Sequence, residues 1–190
     1  PPPGSVPRPS DPVSSPDTRD LPYTLIRVLD DDGKATGPWD PRLDPETLRH
    51  MLRHMVSVRV FDDRMYRAQR QGKTSFYMKC TGEEAIAIPG TFALDREDMH
   101  FPTYRQQGLL VARGYPLKTM MCQIYSHAGD PLHGRQLPIM YSDKKHGFFS
   151  ISGNPGTQYP QAVGWAMASA IKGDSRICMG WIGDGATAEG

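Results

Sequence analysis

Three short stretches of the chain carry residue types that could do chemistry. The first is Gly183-Asp184-Gly185, at the end of the apolar run from Ile177 to Ile182. A carboxylate at the carboxyl end of a parallel strand is a hard oxygen ligand, the kind Mg²⁺ prefers. The second is Tyr104-Arg105, whose guanidinium fork suits a phosphate. The third is the turn Ser152-Gly153-Asn154-Pro155-Gly156-Thr157-Gln158, where successive N–H groups or carbonyls could face an anion or a cation. Each has an ordinary alternative. Gly-Asp-Gly is also a polar turn leaving a strand. Arg105 could equally pair with a carboxylate.

Other candidates are weaker. His50 and His54 stand one helical turn apart, but without the Glu of a metalloprotease helix they read as a solvated face. Arg59 falls on the apolar stripe of its helix with Asp62 and Asp63 one turn on, which predicts an ion pair inside a helix–helix contact. Phe76 reads as core packing or as an apolar substrate wall. Glu83 and Glu84 suit the first turn of a helix. Nothing in the spacing of His133, Arg135 and His146 assigns them a role.

These groups need elements to hold them. Asp44-Pro45-Glu46 opens a helix that runs to Gln71 and stops at Gly72. Leu48, Met51, Leu52, Met55, Val58 and Met65 give it an apolar face. A second helix opens at Gly82-Glu83-Glu84-Ala85, and Pro89 kinks it or ends it early. Tyr104 and Arg105 are expected at the start of a third, where free N–H groups would join the guanidinium on an anion. Leu117 to Tyr125 reads as a further helix, and residues 129–141 as a long loop. Phe148 to Ile151 is a strand candidate, followed by a helix from Gln158 to Lys172 rich in small residues. Ile177 to Ile182 reads as a buried strand. Strand, turn, helix, strand and turn form half of a doubly wound α/β unit. That order brings the turns at 152–158 and 183–187 to one sheet edge. Residues 23–41 predict a small hairpin outside the sheet, with Asp32-Gly33 as its turn. Residues 1–22 hold 8 of the 18 prolines and read as a flexible arm.

The 190 residues suffice for one α/β domain. The chain starts with Pro and stops after a strand–turn that a crossover helix should follow, so it reads as a piece of a longer protein. A net charge of +1 gives no electrostatic case for nucleic acid. No apolar run approaches a membrane span of about 18 residues. The first residues carry no apolar signal segment. Three cysteines, Cys80, Cys122 and Cys178, form no C-x-x-C pair, which points to a reducing compartment.

Taken together, S-F-Y-M, G-E-E-A, F-P-T-Y-R, G-R-Q-L-P, T-Q-x-P-Q-A-V-G and G-D-G-A-x-A-E resemble the alpha subunits of the thiamine-diphosphate-dependent 2-oxo acid dehydrogenases, over about residues 42–190. Within that family the bacterial branched-chain (2-oxoisovalerate) type is most similar. The resemblance implies the thiamine-diphosphate-binding α/β fold, a mostly parallel doubly wound sheet that is incomplete at its C-terminal end here. It implies that Tyr104 and Arg105 hold the cofactor's diphosphate, that Asp184 ligates Mg²⁺, and that Gly153, Gly185 and Ala186 touch the cofactor. Ser152, Asn154, Thr157 and Gln158 match a monovalent-cation site, for K⁺. Phe76 matches a residue near the substrate pocket.

The implied reaction is oxidative decarboxylation of a branched-chain 2-oxo acid with acyl transfer to a lipoyl group, the cofactor acting as electron sink. The implied partners are a beta subunit, in an α2β2 assembly with a shared active site, and a lipoyl-bearing transacylase. The implied location is the bacterial cytoplasm. No catalytic residue falls within these 190 positions: the family's His and its remaining Mg²⁺ ligands lie downstream. The sequence departs from the family at Pro155-Gly156, where branched-chain relatives usually carry Leu-Ala, and at Pro89, inside a helix that is normally uninterrupted. A pyruvate or acetoin alpha subunit, a non-catalytic scaffold with the same fold, and a Mg²⁺-dependent phosphohydrolase using Asp184 remain open on the residues alone.

Overall fold

A computed structural model describes residues 8, 21 and 24–189. The Pro-rich arm expected over 1–22 and the start of the hairpin at Tyr23 lie almost wholly outside the described residues. The chain divides into two units, Pro1–Thr47 and Leu48–Gly190.

In the first unit the hairpin is a single antiparallel bridge, Leu29 to Ala35. Asp30 makes its turn: the carboxylate accepts the N–H groups of Asp32 and Lys34 at 3.0 and 2.8 Å. The Asp44 carboxylate accepts from the backbone of Glu46 and Thr47 and from the Thr47 hydroxyl. That is an N-cap for helix α1, Pro45–Arg70.

The second unit continues with α2 (Glu84–Phe92), strand β1 (Met99–Phe101), α3 (Gln107–Ala112), α4 (Leu117–Ile124), α5 (Gln158–Lys172) and strand β2 (Cys178–Gly180). Strands β1 and β2 are parallel, with Met99 opposite Cys178 and Phe101 opposite Gly180. Helix α5 packs on both strands and α2 packs on α3. The core sits mainly among helices: Phe61 and Met65 of α1, Ile88 of α2, Leu109 and Leu110 of α3, and Met120 and Ile124 of α4 are all buried.

Helices α1, α4 and α5 lie where the sequence puts them. Helix α2 runs only three residues past Pro89, as a residue without an N–H and with a bulky ring dictates. Several expectations need correction. Helix α1 buries Met51, Val58, Phe61, Asp62 and Met65, while Leu48 and Leu52 are exposed. Arg59 does lie in an ion pair between helices, but with Glu84 of α2. Asp62 is inside the core.

Phe148 to Ile151 is not a strand. Phe148 makes one parallel bridge to His100 and one antiparallel bridge to Asp143. A 3-10 turn at Lys144–His146 and Gly147 at φ 63 bend the chain just before it, which leaves too little extended backbone for a ladder. This segment flanks β1 on the side opposite β2. Strand β2 is half-buried rather than buried, and Ile177 and Ile182 are exposed. Among the described residues only β1 pairs with it.

Candidate functional site

The turns at the carboxyl ends of β1 and β2 open into one cavity of about 640 Å³. Tyr104, Arg105, Ser152, Gly153, Asn154, Gln158, Asp184, Gly185 and Ala186 all line it. Thr157 stands behind that wall, hydrogen-bonded to Ser152. Phe76 is not part of the lining; its half-buried ring packs against the core.

Tyr104 and Arg105 precede α3 instead of opening it. Gln106 has φ −96 and ψ 32, outside the helical region. Its side-chain oxygen accepts from the N–H and hydroxyl of Thr103 at 2.8 and 2.6 Å, which closes a turn there. With α3 only six residues long, any hold on an anion rests on the guanidinium rather than on a helix end. Arg105 stacks over the Tyr104 ring, with 5.3 Å to its centroid. Its Nη1 donates to the Lys79 carbonyl at 2.7 Å, and its Nε lies 3.7 Å from the Glu83 carboxylate. Among the described residues Nη2 has no protein partner. One face of the fork is therefore held and another is free.

In the 152–158 turn, the Thr157 hydroxyl lies 3.0 Å from Ser152 Oγ and 2.5 Å from the Asn154 carbonyl. Three oxygens converge there, a donor set suited to a hard cation. The Gln158 side chain is buried, and its amide donates to the Trp181 carbonyl. This ties the start of α5 to the end of β2.

On the other wall, a 3-10 turn over Asp184–Ala188 follows Gly183. The Asp184 side chain is exposed. A Cβ built at Gly153 or Gly185 would meet nothing within 4 Å, so the space beside both backbones is open. Gly156 is different. It has φ +84, and a Cβ there would stand 3.3 Å from the Ala186 carbonyl. The two turns touch at that point. No cluster of three His, Cys, Asp or Glu side chains capable of holding a metal occurs among the described residues. Asp184 alone would thus need further oxygens from a ligand or from other protein groups.

Comparisons with known proteins give the family. The model of the family described as "Dehydrogenase E1 component" matches residues 52–190. The chain belongs to that family. Among curated relatives of the E1 chain, the 2-oxoisovalerate dehydrogenase subunit alpha of Pseudomonas aeruginosa is 62% identical over 186 residues, 98% of this chain and 45% of that protein. The mitochondrial 2-oxoisovalerate dehydrogenase subunits alpha of Mus musculus and Homo sapiens are 40% and 38% identical, each over 87% of this chain and 38% of the relative. The chain spans less than half the length of these relatives.

Two polar residues of the cavity, Glu83 and Gln106, and one buried residue behind it, Asp62, were not legible from the sequence. Glu83 lines the cavity and accepts from the Gln106 side chain at 2.6 Å. The only sequence signal for Gln106 is its place beside Tyr104-Arg105. Asp62, fully buried in α1, accepts from the Tyr77 hydroxyl at 2.6 Å, from the Cys80 N–H at 2.7 Å and from the Gln107 amide. Burial pushes its carboxyl up while these donors pull it back. Burial likewise pushes the Cys80 thiol far up, so Cys80 is no nucleophile. The Nε2 atoms of His50 and His54 lie 3.0 Å apart beside the Phe92 ring, and among the described residues no third His, Cys, Asp or Glu joins them.

Proposed function

We propose that this chain supplies the diphosphate and Mg²⁺ half of a shared active site in a thiamine-diphosphate-dependent branched-chain 2-oxo acid dehydrogenase, as its alpha subunit. The observation that carries the reading is the meeting of Arg105, Asp184 and the 152–158 turn in one cavity, in an E1 chain 62% identical to a 2-oxoisovalerate dehydrogenase subunit alpha. The relatives' names favour this substrate class over pyruvate or acetoin.

The residues present fit the cofactor. Arg105 offers a free guanidinium edge to the diphosphate, with Tyr104 supporting its plane from below. The open backbone at Gly153 and Gly185 lets a ligand approach closely, and Ala186 lines the same cavity. Asp184 would offer one hard oxygen to Mg²⁺, with others coming from a bound diphosphate and from protein groups outside these residues. Ser152 Oγ, the Asn154 carbonyl and Thr157 Oγ1, with Gln158 beside them, form the proposed K⁺ site. When bound, thiamine diphosphate supplies the nucleophilic carbon and the electron sink for loss of carbon dioxide. The part of this chain is to bind and orient. Its strands β1 and β2 then belong to a larger doubly wound sheet. A beta subunit completes the site in an α2β2 assembly, and a lipoyl-bearing transacylase takes the acyl group in the cytoplasm. Among the described residues no helix is long and apolar enough to cross a membrane.

The test is calorimetric titration of the full-length chain, assembled with its beta partner, with thiamine diphosphate in the presence and absence of Mg²⁺. Saturable, Mg²⁺-dependent binding is expected, together with faster decarboxylation of 2-oxoisovalerate than of pyruvate. Absence of binding rejects the reading. Preference for pyruvate rejects the substrate class alone.

A further inference from the structure

We propose that Asp62 is a positioning residue for the Arg105 guanidinium, acting through the single peptide unit that joins Lys79 to Cys80. The proposal rests on the reading of Arg105 as the diphosphate ligand.

The N–H of that peptide, on Cys80, donates to Asp62 Oδ2 at 2.7 Å. The C=O of the same peptide, on Lys79, accepts from Arg105 Nη1 at 2.7 Å. A trans peptide is planar, and its N–H and C=O point in opposite directions. Fixing one end therefore fixes the other. The peptide is clamped between a buried carboxylate of α1 and the guanidinium at the cavity. A donor drawn toward Asp62 also polarises the carbonyl, which strengthens its hold on Arg105.

Two further contacts tie the same parts together. Asp62 Oδ1 accepts from the side-chain amide of Gln107, two residues after Arg105. Lys79 forms an ion pair with Asp63, the neighbour of Asp62. So α1 holds both the peptide on which the guanidinium rests and the backbone from which it springs. Asp62 is fully buried and does not line the cavity. Whatever it contributes to cofactor binding must pass through Arg105. The result is an arginine at the cavity with Nη1 fixed and Nη2 unpartnered among the described residues, with little ordering left to do on meeting an anion.

The variant is Asp62→Asn, in the full-length chain with its beta partner. Asparagine has the same shape but one acceptor oxygen, so either Cys80 N–H or the Tyr77 and Gln107 donors would face an amide N–H. Affinity for thiamine diphosphate with Mg²⁺, and for inorganic pyrophosphate, should each fall about tenfold, the usual scale for losing an orienting partner. At saturating cofactor, kcat and the KM for the 2-oxo acid should stay within about twofold of wild type. In an Arg105→Gln background, Asp62→Asn should cause no further loss. Tyr77→Phe, which removes a different donor to Asp62, should lower stability and leave pyrophosphate affinity nearly unchanged.

A general structural role would instead give additive losses in the double variant, or an equal loss in Tyr77→Phe; either overturns the proposal, as does unchanged affinity in Asp62→Asn. If Asp62→Asn does not fold, hydrogen exchange on the wild-type assembly decides. Pyrophosphate should slow exchange at the Cys80 amide, and should not do so in Arg105→Gln. Equal exchange with and without pyrophosphate overturns the clamp. A wild-type assembly that binds neither probe overturns the proposed function, and the clamp with it.

Discussion

Acidification should destabilise this chain through one buried imidazole. His100 lies in β1 with no exposed surface. Its Nε2 lies 3.2 Å from Arg113 Nη2 and its Nδ1 3.4 Å from Trp181 Nε1. Burial and the neighbouring Arg113 cation hold it neutral and push its pKa down to about 4, with Asp98 opposing weakly. In the unfolded chain the ordinary value is near 6.5. Between these values the unfolded state takes up a proton that the folded state refuses. The stability contributed is full above about pH 6.5 and is lost as the pH falls toward 4. At about 1.36 kcal/mol per pH unit, that window is worth about 3 kcal/mol. The perturbation is His100→Asn, which keeps a polar side chain and removes the titration. Urea unfolding at pH 7.5 and 4.5 measures the effect. The variant should be less stable at pH 7.5, having lost packing. On acidification it should lose about 2.5 kcal/mol less than wild type. The carboxylates common to both chains cancel in that comparison. Equal losses would show that His100 takes up a proton as easily folded as unfolded, and would refute the assignment.

Arg105→Ala should weaken thiamine diphosphate by about 1.5–3 kcal/mol, roughly 10- to 100-fold, the usual cost of a charged hydrogen bond, as read by calorimetry on the assembled protein. Asp184→Ala should abolish the gain in cofactor affinity that Mg²⁺ confers, with little change in affinity measured without the metal; an unaltered Mg²⁺ dependence would place the metal elsewhere. Gly156→Ala should cost about 1–2 kcal/mol, visible as a lowered Tm, because its φ of +84 is unfavourable for alanine and the new methyl would crowd the Ala186 carbonyl.

What the sequence revealed depended on range. Helices α1 and α5 were legible because their signals are local: the Asp44 cap and apolar periodicity for one, a run of small residues after the 152–158 turn for the other. Strand β1 was not, because three residues, Met-His-Phe, show no alternation to count. Phe148 to Ile151 resembled a strand in composition, yet its pairing is two single bridges set by the bend before it. The Gly, Asp and Arg residues of the site stood out by type alone. Asp62 did not. On helical spacing it falls between Val58 and Met65, on the buried face. Its partners are 15 to 45 residues away, and nothing local announces them. Helical spacing puts Arg59, one turn earlier, on the apolar stripe with Asp62 and Asp63 a turn on, which predicts an ion pair. The structure buries the acid with hydroxyl and amide donors instead.

Main-chain carbonyls seat several of the polar side chains at the cavity. The Lys79 carbonyl seats Arg105, the Trp181 carbonyl seats Gln158, and the Asn154 carbonyl seats Thr157. None of these contacts depends on the side chain of the residue that offers the oxygen. Where the two turns meet, the Ala186 carbonyl faces Gly156, and the absence of a Cβ is what matters there. Pro155, by contrast, only borders the cavity. Substitution at Pro155 therefore changes the shape of one wall and leaves the frame in place, whereas Gly156 is part of the frame. Variation at 155 should tune how a ligand lies in the cavity, and variation at 156 should move the walls themselves.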